Sequence, residues 1–131
     1  MASIFSKIIR GEIPCYKVAE DESHIAFLDI NPNAAGHTLC IPKREEDKLF
    51  NLDIQEYSAL MAFSRKVAMA LRETVPCKRI GLSVIGLEVP HVHVHLIPLN
   101  SMNDATFQHK VQLTPTEMDQ LAAKILAAFE A

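Results

Sequence analysis

The chain has 131 residues, of which 49% are hydrophobic and 22% are charged, and its formal net charge at pH 7 is −3. This length and composition are typical of one globular domain with a real hydrophobic core. The negative charge excludes the basic surface of a nonspecific nucleic-acid-binding protein. No apolar run approaches the roughly 18 residues that a membrane span needs. We therefore expect a cytoplasmic protein without nucleic-acid or membrane partners.

Three helices are predicted from their boundaries. Each begins after a residue whose side chain can accept a hydrogen bond from the first helical turn, namely Ser3, Asp53 and Thr114. The first helix is short because Gly11 ends it. In the second, apolar residues at helical spacing continue to about Thr74, and Pro76 stops the pattern. The third covers about 115–131.

Five strands are predicted between turn signals, over 15–19, 24–29, 37–41, 80–85 and 91–98. Short turns between consecutive strands favour antiparallel pairing, and the loop over 86–90 makes a hairpin the simplest connection of the last two. The predicted fold class is α+β: a five-stranded antiparallel sheet with one long helix plus short N-terminal and C-terminal helices. We expect the long helix on one face of the sheet and a row of histidines on the other.

The most informative stretch runs from His91 to Pro98, where histidine and valine alternate. Side chains of a strand point alternately to its two faces, so His91, His93 and His95 would share one face and the valines would face the core. Thr, Lys or Glu would solvate a polar face equally well. Three imidazoles in register therefore indicate chemistry near neutral pH.

Two kinds of chemistry fit this face. One imidazole could attack an electrophile while its neighbours orient it and handle protons. Alternatively, two or three imidazoles could hold a metal ion, because same-face positions of a strand lie about 6.5–7 Å apart. The strand contains no Asp or Glu, so a metal site would need a ligand from elsewhere. The strand by itself leaves both interpretations open.

Four segments in the same order resemble the histidine triad (HIT) family of nucleotide hydrolases and transferases, namely 4–14, 27–30, 36–43 and the histidine run itself. The resemblance implies the family fold, a five-stranded antiparallel sheet with helices. It implies a single HIT-like domain over 1–131, with the C-terminal helix, about 115–131, as an appendage. It also implies a homodimer whose two sheets are continuous.

By this resemblance His93 is the nucleophile that takes the α-phosphate of a nucleotide and forms a transient nucleotidyl-imidazole. Water then releases the nucleoside monophosphate. A hydrogen bond from the other ring nitrogen of His93 to the carbonyl of His91 would fix its tautomer. His95 would contact the phosphate or pass a proton to the leaving group, and His37 would join the cluster from the adjacent strand.

The resemblance also implies a nucleoside site. Asp29 matches the position that holds the ribose hydroxyls, although turn capping explains this residue on local grounds. The apolar pocket for the base matches Phe5, Ile8, Ile13, Phe27, Ile30 and Leu39. Each of these residues would keep a packing role as well.

The loop over 86–90 departs from the family, since many relatives carry a longer glycine-rich loop with polar side-chain donors. Backbone N–H groups would then have to hold the phosphate, with Ser83 in the position of a family Asn. Glu88 would repel a polyphosphate if it pointed inward. Ser3 and Ser6 stand at the spacing of a cysteine pair that binds zinc in some relatives, so we expect neither that metal site nor a cofactor.

We predict a hydrolase that cleaves a purine nucleotide or nucleotide conjugate at its α-phosphate, and a nucleoside phosphoramidate is the favoured substrate. Hydrolysis of a dinucleoside polyphosphate is the nearest alternative, which the short loop and Glu88 disfavour. A histidine-based metal-binding protein and a nucleotide-binding module without turnover are the alternatives from other classes.

Overall fold

A computed structural model describes residues 3–131 of the protein. Its helices are α1 (Ile4–Ile9), α2 (Ile54–Thr74) and α3 (Pro115–Glu130). Its strands are β1 (Lys17–Glu20), β2 (His24–Leu28), β3 (Thr38–Pro42), β4 (Arg79–Ser83) and β5 (Val94–Leu99). Two short 3₁₀ turns occur at Leu49–Asn51 and Met102–Ala105. Within residues 3–131, every helix is too short or too polar to span a membrane.

The three predicted helix starts are confirmed, and each is a reciprocal capping box. The side chains of Ser3, Asp53 and Thr114 accept the N–H of the third helical residue, whose own side chain accepts the N–H of the cap. Gly11 has a φ of +75°, the left-handed conformation that ends α1 at little steric cost. The sequence thus specifies where α1 begins and ends.

The strands form one antiparallel sheet in the order β1-β2-β3-β5-β4. With one long helix and two shorter ones, this confirms the predicted α+β fold class. The histidine strand begins later than predicted, at Val94 rather than His91. The N–H of Val92 donates to the carbonyl of Glu46 at 2.7 Å and that of His91 to Val89 at 2.8 Å. These loop bonds replace the ladder bonds that a longer strand would make.

Apolar residues pack on both faces of the sheet. The larger cluster lies between the sheet and helices α2 and α3, and its members from the histidine run are Val92, Val94 and Leu96. From α3 the same cluster takes Met118, Ala122, Ile125 and Phe129. The smaller cluster lies on the opposite face with α1, and it comprises Phe5, Ile25, Phe27, Leu39 and Ile41. The predicted alternation of valines and histidines therefore holds even where regular pairing does not.

Candidate active site

The backbone holds His93 in one tautomer. Nδ1 of His93 lies 2.7 Å from the carbonyl oxygen of His91, and because a carbonyl only accepts, Nδ1 carries the proton. The lone pair of the neutral ring therefore lies on Nε2. The ring lines a cleft although only 6% of the residue is exposed. A nucleophilic nitrogen is thus oriented at the wall of a cavity.

His91 lies behind His93 and supports it. Nε2 of His91 donates to the carbonyl oxygen of Pro42 at 2.8 Å, and the ring is buried. Burial lowers the pKa of His91 below its ordinary value, against the opposing effect of the bond to Pro42. A neutral ring clamped in this way keeps the His91 carbonyl directed at His93.

A second chain of hydrogen bonds sets the tautomer of His95. The N–H of Asn33 donates to Nδ1 of His37 at 2.9 Å, so the proton of neutral His37 lies on Nε2. That nitrogen lies 2.9 Å from Nδ1 of His95 and donates to it, which places the His95 proton on Nε2. Burial lowers the pKa of His37 to about 3 and that of His95 to about 4. Both rings are therefore neutral at pH 7, and His95 can donate a hydrogen bond from Nε2.

The cleft has a volume of about 850 Å³, within the range of small-molecule sites. His93 and His95 lie in its wall, whereas His37 and His91 support them from behind. The wall also contains the residues predicted for the base pocket, namely Phe5, Ile8, Ile13, Phe27, Ile30 and Leu39. Ile30 is 78% exposed and so lies at the rim. An apolar cavity therefore leads directly to the two histidines.

Phe5 connects the apolar wall to the histidines. Its ring meets that of His93 edge to face, with centroids 5.0 Å apart, and that of Phe27 with centroids 5.6 Å apart. Phe5 lies in the first turn of α1, whose start is set by the cap at Ser3. Helix α1 therefore forms one side of the cleft.

Asp29 directly follows β2 and makes two kinds of contact. Its Oδ1 accepts the N–H of Asn31 at 2.8 Å, which is the predicted turn cap. Its Oδ2 lies 3.7 Å from Nε2 of His37, and the residue also lines the cleft. Burial raises the pKa of Asp29, opposed by the Asn31 hydrogen bond and the positive charge of Lys110. The carboxylate thus combines a local structural role with a place in the cleft.

Comparison with known proteins places this arrangement in a family. A family model described as HIT domain matches residues 10–102. The chain belongs to the HIT family. It is 35% identical over 131 residues to an "Uncharacterized HIT-like protein" of Borreliella burgdorferi, covering 93% of this chain and 94% of that one.

Two further HIT proteins bear on the site. The "Adenosine 5'-monophosphoramidase HNT1" of Saccharomyces cerevisiae is 40% identical over 98 residues, which cover 74% of this chain and 62% of that protein. A crystal structure of a "Hit-like protein involved in cell-cycle regulation" from Bartonella henselae superposes with a TM-score of 0.83 at 32% identity. It covers 96% of this chain and 95% of that chain. The resemblance found in the sequence is thus confirmed, and the fold extends over nearly all of it.

In this HIT chain the short loop between β4 and β5 forms part of the cleft. Gly86, Leu87, Glu88 and Val89 line it, so the loop contributes one acidic residue to the cleft wall. Ser83 pairs with His95 in the β4–β5 ladder and shares its face of the sheet, but it does not line the cleft. Its Oγ is buried without a hydrogen-bond partner in residues 3–131.

Sequence reasoning missed three residues of this HIT site. Asn33 is fully buried and sets the tautomer of His37 through its N–H. Phe107 and Lys110 line the cleft, and they lie in the stretch 100–110, which is mostly polar and has no helix or strand pattern in the sequence. The available signal was one aromatic residue and one lysine in that polar stretch, which is too common a pattern to indicate a site.

The residues that could hold a metal ion differ from those predicted. Asp29, His37 and His95 each place a ligand atom within 4.8 Å of the others. The predicted alternative used His91, His93 and His95, and of these only His95 belongs to the observed group. His91 and His93 each give one ring nitrogen to a backbone carbonyl. An ion between His37 and His95 would have to break their mutual 2.9 Å hydrogen bond. The observed bonds therefore suit a nucleophile with supporting groups better than a metal centre.

Proposed function

We propose that this HIT protein hydrolyses a nucleotide at its α-phosphate, with a purine nucleoside phosphoramidate as the preferred substrate. The observation that carries the proposal is the tautomer of His93, whose lone pair on Nε2 lies at the wall of a cleft large enough for a nucleotide. The likeness to a protein named adenosine 5'-monophosphoramidase supports the choice of substrate.

The first step forms a covalent intermediate. Nε2 of His93 attacks the α-phosphorus as neutral imidazole and needs no prior deprotonation. The phosphorus–nitrogen bond of the substrate breaks, and the leaving nitrogen, protonated by solvent, departs as an amine. The His93 ring becomes positively charged, and the hydrogen bond from its Nδ1 to the His91 carbonyl stabilises that charge.

The second step regenerates the enzyme. Water attacks the phosphorus, the bond to Nε2 breaks, and the water proton passes to solvent, so the proton consumed in the first step is returned. The product is the nucleoside monophosphate. Nε2–H of His95 donates to a phosphate oxygen in both steps. With a pKa of about 4, His95 is neutral at pH 7, which favours the phosphate-contact role over delivery of a proton.

The cleft orients the nucleoside relative to His93. Asp29 accepts hydrogen bonds from the ribose hydroxyls, and the apolar wall around Phe5 and Phe27 takes the base. This arrangement holds the phosphorus in place for in-line attack. Hydrolysis of a dinucleoside polyphosphate would use the same nucleophile, but the carboxylate of Glu88 in the cleft wall disfavours several adjacent phosphates.

Release of AMP from adenosine 5'-phosphoramidate tests the proposal. The His93→Ala variant should lose this activity and keep the circular dichroism spectrum of the wild type. His109→Ala is the matched control, because His109 is exposed and does not line the cleft. Activity should persist in a chelator, since imidazole attack requires no metal. Full activity of His93→Ala would contradict the mechanism. Loss of wild-type activity on addition of a chelator would contradict it as well.

We also propose a homodimer that forms through β4. This strand is one edge of the sheet, and Leu82 on it and Ile85 just beyond it are 54% and 51% exposed. The other edge strand, β1, begins with Lys17 and ends with Glu20, whereas β4 carries a charge only at Arg79, and charge protects an edge from pairing. Light scattering should give twice the mass of one chain, and Leu82→Lys should give the mass of a single chain.

A further inference from the structure

We propose that Lys110 forms an anion subsite in the cleft that binds a phosphate group of the bound nucleotide. The inference rests on the proposed function only in taking a nucleotide as the ligand. It assigns a binding role to a segment after β5 that lies outside the histidine run. Three observations support it: the charges in the cleft, the way the ammonium group is held, and its position relative to His95.

The acidic residues of the cleft make a cation necessary for binding a phosphate group. Among residues 3–131, the cleft wall contains two carboxylates, Asp29 and Glu88, and Lys110 is its only Lys or Arg. His95 is neutral at pH 7 and contributes no positive charge. Without Lys110 a nucleotide phosphate would therefore enter a cavity that carries only negative formal charge.

The ammonium group of Lys110 is held in place with donor capacity to spare. Its Nζ donates to Oδ1 of Asn33 at 2.8 Å and to the carbonyl oxygen of Asn31 at 3.2 Å. Both partners are uncharged, and within residues 3–131 no carboxylate forms an ion pair with Lys110. Since an ammonium group has three N–H donors, one remains for a ligand. The ammonium group is thus held in position by neutral partners and forms no ion pair among the described residues.

The residues around Lys110 are themselves held in place by the fold. Asn33 is fully buried, and its Nδ2 donates to the carbonyl oxygen of Asp104 at 2.9 Å. Phe107 has a φ of +64°, a left-handed conformation that costs a bulky residue energy and is tolerated where the surroundings enforce it. The segment before Lys110 is therefore fixed against the turn between β2 and β3.

Phe107 places this cation beside the phosphate end of the cleft. The Phe107 ring centroid lies 4.9 Å from that of His95 and 5.1 Å from Nζ of Lys110. The Lys110 ammonium group and the His95 ring therefore both lie next to the Phe107 ring, and His95 is the histidine proposed to donate to the phosphate. Two phosphates of a nucleotide could occupy this subsite: the α-phosphate itself, or a second phosphate on the leaving group.

The test compares ligands that differ only in phosphate, using calorimetry on the full chain. The ligands are adenosine, AMP and α,β-methylene-ADP. Lys110→Met should weaken the binding of at least one of the two phosphate ligands about tenfold, the loss expected for one hydrogen bond to a charged group, and should change adenosine binding less than twofold. Lys110→Arg should restore most of the affinity. Lys124→Met, on the exposed face of α3, makes the same change in net charge and should bind all three ligands like wild type.

Salt provides an independent readout. For each phosphate ligand that Lys110→Met weakens, the Kd should rise with NaCl concentration for the wild type and much less for the variant. If only α,β-methylene-ADP loses affinity, the subsite holds the second phosphate, and if AMP loses it too, the subsite holds the α-phosphate. Equal losses for adenosine and AMP, or no loss for either phosphate ligand, would overturn the inference. A wild-type chain that binds none of the ligands would instead refute the proposed function.

Discussion

The hydrogen-bond chain behind His95 makes a prediction about protonation and stability. His37→Leu removes the ring that links Asn33 to His95. Two buried groups, the Asn33 N–H and Nδ1 of His95, then lose their partners. An orphaned buried donor or acceptor costs about 1–3 kcal/mol, so the free energy of unfolding should fall by about 2–6 kcal/mol. His95 should also lose its preference for a proton on Nε2.

Two measurements check this prediction. The ¹⁵N chemical shifts of the His95 ring report directly which nitrogen carries the proton, and urea denaturation gives the free energy of unfolding. In the wild type the proton should lie on Nε2. In His37→Leu the tautomers should mix, and kcat/KM should fall in proportion to the fraction of His95 that no longer donates from Nε2, which is roughly twofold for an equal mixture.

His37→Gln serves as the matched variant, since its amide can place an N–H near the position of Nε2 and restore the donor to His95. It should keep the wild-type tautomer and most of the activity. A wild-type His95 with its proton on Nδ1 would refute the reasoning. So would a His37→Leu protein that keeps both the Nε2 proton and wild-type kcat/KM.

Three further predictions follow from the geometry. Burial lowers the pKa of His37 to about 3 and that of His95 to about 4, so as pH falls the unfolded chain takes up these protons before the folded chain does. The free energy of unfolding, measured by urea titrations, should therefore be highest above about pH 6.5 and lower by a few kcal/mol at about pH 4. Asp29→Ala should weaken AMP about tenfold and 2',3'-dideoxy-AMP little, and equal losses in calorimetry would remove the ribose contact. Ile125→Ala should lower the free energy of unfolding by about 2–5 kcal/mol, because this α3 side chain is fully buried in the main core; an unchanged thermal midpoint would show that α3 contributes little.

Local signals in the sequence predicted the number and order of the helices and strands. The caps at Ser3, Asp53 and Thr114 act within one helical turn, so residue type and spacing determine them. The alternation of histidine and valine likewise predicts which side chains share a face, because it depends on backbone geometry alone. The start of β5 could not be predicted, since it depends on a bond between Val92 and the distant carbonyl of Glu46.

Some properties of the active-site region could likewise be predicted from the sequence, and others depend on the tertiary structure. The sequence by itself determined that three imidazoles share a face, and the resemblance proposed His93 as the nucleophile. It did not indicate Asn33 or Lys110, whose mutual hydrogen bond joins positions 77 residues apart. Only the tertiary structure decided which nitrogen of His37 and His95 carries the proton and that Lys110 lies in the cleft wall. The physical reason is that these properties depend on contacts of 2.8 and 2.9 Å between segments that only folding brings together.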